Sequence, residues 1–428
     1  MNYPIWQLDF AGGGLLIAII AIIHVYITHF AIGGGLFLVL TEQKGIRENS
    51  RGILDYVKMH TRFFLLITMV LGALTGVGIW FTISLLNPAA VSKLVHIFVF
   101  AWAVEWVFFL TEIVALFIYY KTFDKISDRT HLTIGWIYFA AAMASLFVIN
   151  GIIDFMLTPG AWLETANFWD GFFNPTFWPA FFFRTFLALM IAGLFGFVTA
   201  TWIKDQTLRL NMVRYCAKWL LAPFMLFLAS AWWYKSSLPP HLQDLIFQKM
   251  PEMQVFIKAF LVCSPLLLFG GLLLAIRLPA RVYRPLAGIM LIIGFVYLGS
   301  FEFIREGGRR PYIIHNYMYS TAITKSEMPE IIESGLLDKA KWVAVREIDG
   351  TNKAEAGREI FNILCLSCHS VGGPLNDIKK LASQFKPEMM QYIYMNMGES
   401  LEFMPPFAGT KEEQEALTSY IFDELIDY

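Results

Sequence analysis

Cys365, Cys368 and His369, in the run Cys365-Leu366-Ser367-Cys368-His369, are the residues of this 428-residue chain whose types and spacing specify chemistry most directly. Two thiols three positions apart, with an imidazole beside the second, form the attachment pattern of a c-type haem. The thiols become thioethers to the porphyrin vinyl groups and the histidine supplies one axial iron ligand. A Cys-x-x-Cys pair also fits a redox dithiol or half of a zinc site. The tail holds no second Cys pair to complete a zinc tetrahedron, and no βαβ pattern surrounds the motif. Met404, in Met404-Pro405-Pro406-Phe407, is the expected second axial ligand, with Met395 and Met397 as rivals; a thioether there raises the iron's potential and suits electron transfer.

Short helices are expected to position this motif. Ala354 to Leu364 reads as an amphipathic helix leading into it, opened by an Asn352-x-x-Glu355 capping box. Thr410-x-x-Glu413 caps a closing helix that runs to about Asp427. Residues 351–428 are thus read as a small α-helical cytochrome c domain, and 312–350 as an ordered linker on the outer face of a membrane.

Everything before residue 311 has a different character. The chain is 57% hydrophobic and 16% charged, against about 25% charged in soluble domains. Eight stretches reach the roughly twenty apolar residues that cross a bilayer core, near 12–41, 61–86, 95–120, 132–157, 178–203, 213–234, 255–276 and 285–304. The fold class is therefore all-α: a polytopic helical bundle, 1–311, followed by the haem c domain. The first apolar run exceeds a signal-peptide core and lacks a basic leader, so no cleaved signal is expected. Lys and Arg number 15 in the loops at 42–62, 121–131, 204–218 and 277–284, but 4 in the alternate connections. The positive-inside rule places the first set in the cytoplasm of a bacterial-type inner membrane, with both termini outside. Haem c attachment, an outer-face chemistry, requires the same topology. Cys216 and Cys263 lie in apolar segments as small hydrophobes. The aromatic residues of 158–177 and Trp232 to Tyr234 read as an interfacial belt.

Ionisable residues inside spans are expensive and mark function by default. His24 and His29 lie mid-span, followed by Gly33-Gly34-Gly35, a flat surface for a porphyrin or another helix. Glu105 and Glu112 are seven apart, on one helical face, as in a proton relay; the alternative is a pair of buried protonated acids. Arg184 either snorkels or neutralises a haem propionate, and Glu306 ends the last span.

These residues carry a resemblance. Over about residues 10–315 the chain is similar to subunit I of cytochrome bd quinol oxidases, through Ala21-Ile22-Ile23-His24 with Glu42, Leu74-Thr75-Gly76, Ala103-Val104-Glu105, Phe108-Phe109-Leu110-Thr111-Glu112, Asn150-Gly151 and Arg305-Glu306-Gly307-Gly308-Arg309-Arg310-Pro311-Tyr312. The resemblance implies haem b and haem d in the bundle. His24 would be a ligand associated with the oxygen-reactive haem, Glu306 a ligand of a high-spin b haem, and Glu105 with Glu112 the glutamates of proton delivery. The family's low-spin haem ligands, a histidine and a methionine, fall on Arg184 and Phe260, its long quinol loop shrinks to about Lys235 to Lys258, and the haem c domain replaces its ninth span. The expectation is a respiratory electron-transfer subunit working beside other membrane subunits. Its expected redox partner is a periplasmic cytochrome c or quinol, its expected acceptor O₂, and no nucleic acid is expected. A quinol dehydrogenase working outward, or an anchor for a cytochrome c, are the alternatives.

Overall fold

The computed structural model describes residues 3–276, 278–399 and 401–426. Eight described helices are long and apolar enough to cross a membrane: α1 (Gly13–Arg47), α2 (Arg51–Leu86), α3 (Val99–Thr122), α4 (Asp128–Phe155), α5 (Phe177–Ala200), α6 (Gln206–Ser237), α7 (Pro251–Ala275) and α8 (Ala280–Gly307). All eight expected spans are present. Several run past the apolar stretch on the side of the basic loops, because polar caps extend them beyond what hydropathy detects. Ser50 accepts from the Ile53 amide to start α2, and Asp205 accepts from Leu208 at 2.6 Å to start α6. The beginning of α2 is amphipathic and buries Ile53, Tyr56, Val57 and His60.

The chain divides into two compact units. One comprises 22–76 and 98–305. Its centre is α5, two thirds of whose apolar stretch is buried. The three glycines of α1 serve helix contact: a Cβ on Gly33 would stand 2.0 Å from the Ala188 carbonyl oxygen, one on Gly34 would strike Phe64, and one on Gly35 would strike Tyr138. Helices, not a porphyrin, occupy that flat face. Asn150 donates to the Phe177 carbonyl at 2.8 Å and Asn174 to the Gly151 carbonyl at 3.1 Å, which pins the connection between α4 and α5. That connection is only partly a belt. Trp162 and Phe172 are buried in it while Trp169, Phe173 and Trp178 are exposed. Tyr234 is buried and donates to Asp154 at 2.8 Å, whereas Trp232 and Trp233 face outward. Cys216 and Cys263 are buried, as expected of small hydrophobes.

The other unit joins 306–428 to 1–21 and 77–97, two segments that composition alone groups with the spans. Its core draws on both the stretch expected to be a cytochrome c domain (Ile360, Phe361, Leu366, Tyr394, Phe407, Leu417) and the segment expected to be a linker (Ile323, Met328, Ile331, Leu336, Leu337). A short antiparallel hairpin, Tyr312–Ile314 with Met318–Tyr319, interrupts an otherwise helical fold. The helices Lys353–Leu364 and Lys411–Ser419 cross so closely that a Cβ on Gly357 would meet the Ala416 carbonyl oxygen at 2.1 Å. The Thr410 and Glu413 capping box forms, and the Glu413 carboxylate also accepts from Leu336 and Leu337 amides at 2.9 and 2.8 Å. The Asn352 box does not. That side chain accepts from Asp349 and donates to the Glu347 carbonyl, while the Asp349 carboxylate holds the turn before the helix.

Candidate functional site

One tight turn at the end of Lys353–Leu364 gathers Cys365, Cys368 and His369. Cys368 and His369 amides both donate to the Cys365 carbonyl, at 3.0 and 2.9 Å, so two thiols and the imidazole share one turn. Burial raises the Cys365 thiol to a pKa of about 12, keeping it protonated. The imidazole of His369 lies 2.8 Å from the Asn376 carbonyl through Nδ1. A carbonyl only accepts, so Nδ1 carries the hydrogen and Nε2 the lone pair, the tautomer an axial ligand needs. Burial also lowers the His369 pKa and keeps the ring neutral. The donor set fits a covalent haem. Met404 and Met397 are half-buried in the same unit, and Met395 is exposed.

The carbonyls of Leu366 and Ser367, inside the motif, accept from Gly13 and Gly14 at 3.4 and 3.1 Å. Those amides are the first of α1 and have no partner within their own helix. The Cys-x-x-Cys-His turn therefore caps the first membrane helix. Val371 adds a bond to the Asp9 carbonyl at 2.7 Å.

In the membrane unit His24 is half-buried, and its Nδ1 lies 3.0 Å from Thr75 Oγ1. The Thr75 hydroxyl donates to the Leu71 carbonyl at 2.7 Å, so it accepts from Nδ1, and Nε2 again keeps the lone pair. Gly76 faces the ring, where a Cβ would stand 3.1 Å from Cε1. A π-helical turn at Leu66–Gly72 precedes these two residues; such bulges recur at functional sites. The Leu74-Thr75-Gly76 motif thus belongs to the setting of His24, and the donor chemistry fits an iron ligand.

Glu105 accepts from Ser145 at 2.9 Å, and Ser145 is also within reach of the Glu112 carboxyl. The two glutamates therefore lie on the α4 side of α3, Glu112 the deeper.

Arg184 does not snorkel: it is 1% exposed, and Nη1 donates to Glu302 Oε1 at 2.6 Å. Arg305 donates to the other oxygen of Glu302 at 3.1 Å. Asp154, which accepts from Tyr234, is a second buried acid beside this group. Phe260 stacks on Tyr297 with ring centroids 4.3 Å apart, and Phe183, Phe227 and Phe301 continue the aromatic packing. Glu306, one turn after Glu302, is ion-paired to Arg309 and 39% exposed at its side chain.

Four groups escaped the sequence reading or were left open by it. Glu302 is a carboxylate inside a span, the signal that singled out Glu105. His60 lay just outside the apolar window. It is fully buried, its Nδ1 bonded to Thr199 at 2.8 Å and its Nε2 without a hydrogen-bond partner. His29 has the same form, Nδ1 bonded to Val25 and Nε2 unpartnered. Glu42, quoted only for the resemblance, is buried against His131 and Tyr119.

Fold and site together define an eight-span helical membrane protein that presents lone-pair imidazole nitrogens within its bundle. The chain belongs to the cytochrome bd terminal oxidase subunit I family, whose model matches residues 15–236. It is accordingly a multi-pass membrane subunit of a respiratory oxidase, an oxidoreductase of electron transport, in a family that uses haems b and d. Among solved structures it is similar to bd oxidase from Geobacillus thermodenitrificans, with a TM-score of 0.63 and 15% identity over 75% of this chain and 93% of that one; a likeness this distant speaks to fold alone. No curated protein sequence matches the chain.

Proposed function

We propose that this subunit belongs to a bd-like oxidase that receives electrons through a covalent haem c instead of a quinol-side haem, and that O₂ is reduced in the bundle at His24. The observation that carries this reading is the cap that Leu366 and Ser367, in the Cys-x-x-Cys-His turn, place on α1, the helix that bears His24. When bound, a c-type haem supplies one-electron transfer and the bundle haems supply the reduction of dioxygen to water.

The residues have divided roles. Cys365 and Cys368 would hold the haem as thioethers, His369 and Met404 would be its iron ligands, and the Asn376 carbonyl fixes the His369 tautomer. Thr75 orients His24, and Gly76 leaves room for its ring. Ser145, Glu105 and Glu112 hold protons for the same site. The low-spin haem of quinol-oxidising relatives has no support here. Arg184 is committed to Glu302, and Phe260 is an apolar ring stacked on Tyr297, so neither position offers an iron ligand. Glu306 stays a proposed ligand at the end of α8, where Arg309 pairs with Oε2, one of its two carboxylate oxygens.

Oxygen consumption by the purified, haem-loaded complex tests the proposal. Reduced cytochrome c should support it and quinol should not. Quinol-driven reduction of external cytochrome c would establish the opposite direction.

A further inference from the structure

Polar residues recur every seven positions on both α3 and α4. On α3 they are Glu105, Glu112 and Tyr119; on α4 they are His131, Tyr138 and Ser145. A seven-residue step turns a helix by only about 20° and advances it about 10 Å, so each set forms one stripe along its helix. The helices run antiparallel, and the stripes meet in three rungs. Ser145 donates to Glu105 at 2.9 Å, Tyr138 neighbours the Glu112 carboxyl, and His131 stacks on Tyr119 with ring centroids 4.2 Å apart.

The third rung is built to hold a mobile proton. His131 Nε2 lies 2.8 Å from the Tyr119 carbonyl and must donate to it. Its other nitrogen lies 2.6 Å from Glu42 Oε1, and Tyr119 donates to Glu42 Oε2, also at 2.6 Å. One proton therefore sits in the His131 to Glu42 bond, as imidazolium beside carboxylate or as imidazole beside acid, and it belongs to the pair. Glu42 is two residues before Lys44, His131 is in the first turn of α4 and Tyr119 in the last turn of α3, all at the end that carries the basic loops. A cavity of about 10 Å³, at the lower limit for a single water, separates this rung from the next. It is lined by Tyr119 and Tyr138, with Leu116, one turn short of Glu112, and Gly35, Leu38, Val39 and Gly135.

We infer that Glu42, His131 and Tyr119 are the cytoplasmic loading station of a proton ladder that continues through the cavity to Glu112 and Glu105. A proton from the cytoplasm binds the Glu42 and His131 pair. The Glu42 acid then donates to the Tyr119 oxygen while the Tyr119 hydroxyl turns from Glu42 to donate into the cavity, where a water would take that proton and release one of its own to Glu112. One proton enters and one arrives, and no covalent bond or oxidation state changes. These residues do not touch dioxygen and act only by supplying Glu112. The inference rests on the proposed role of Glu105 and Glu112 above.

The test is infrared hydrogen–deuterium exchange on the haem-loaded protein in lipid vesicles, following the protonated carboxyl bands that Glu105→Gln and Glu112→Gln remove. Glu42→Gln, which keeps the shape of the carboxyl but cannot carry the proton, should slow their exchange tenfold or more. Tyr119→Phe, which keeps the ring on His131, should do the same and serves if the first variant fails to assemble. Oxygen consumption with reduced cytochrome c is measured in parallel. Slowed exchange in a protein whose wild type consumes no oxygen would leave the ladder standing and overturn the oxidase reading. Unchanged exchange beside normal oxygen consumption, or the lack of any such carboxyl band, would overturn the ladder.

Discussion

Arg184 on α5 and Glu302 on α8 meet across 2.6 Å inside the bundle, with Arg305 on the other carboxylate oxygen. Removing one partner of such a buried pair leaves an uncompensated charge in low dielectric, at a cost of about 3–5 kcal/mol. Glu302→Gln should therefore lower the unfolding free energy by about that amount, read from thermal melts in detergent. Glu306→Gln, at a side chain 39% exposed and paired to Arg309 just beyond the end of α8, should cost under about 1 kcal/mol. Equal destabilisation by the two would mean that Glu302 is not the buried anchor of α8.

Covalent haem attachment depends on two thiols in one turn. Replacing Cys365 and Cys368 by Ala should abolish the haem stain on a denaturing gel, since only thioethers survive denaturation. Met404→Ala should lower the potential of the c-type iron and open it to carbon monoxide. If Met397→Ala opens the iron and Met404→Ala does not, the sixth ligand is Met397, the other half-buried methionine of this unit.

Loop charge predicts the orientation of the spans. An engineered cysteine at Asn49, between α1 and α2, should resist an impermeant thiol reagent in intact cells, and one at Thr165, exposed between α4 and α5, should react. Labelling at 49 alone would invert the topology.

Sequence patterns revealed the spans because twenty apolar residues in a row have few other uses, and they picked out Cys365, Cys368 and His369 as one group because Cys-x-x-Cys-His is local and the structure holds it in one turn. Residues whose role depends on a partner from a distant helix were less legible. Arg184 reads as a snorkelling cation until Glu302, 118 positions on, is placed beside it. Glu42 and His131 are 89 positions apart, and each near a span end looks like a solvated loop residue. The glycines of α1 offered a flat face whose occupant only the packing of α5, α2 and α4 identifies. His60 was hidden by the polar residues that extend α2 past its apolar stretch.

Gly76 gives a test of the His24 site that spares the ligand itself. A Cβ there would stand 3.1 Å from His24 Cε1, so Gly76→Ala forces the ring to give by a few tenths of an ångström, and Gly76→Val, with two further methyl groups, by more. Neither change touches the Thr75 hydroxyl that orients Nδ1. If His24 Nε2 is an iron ligand, the ligand-binding haem should be perturbed slightly by Ala, strongly by Val and lost in His24→Ala. Its optical band and carbon monoxide affinity measure that series, with the haem c stain constant throughout. If His24 is only a hydrogen-bonding residue, His24→Ala should keep every haem and destabilise the fold by about 1–3 kcal/mol through the partner it leaves unpaired. The graded spectral series separates the two roles, because a purely structural histidine offers no route by which a methyl group on Gly76 reaches the iron.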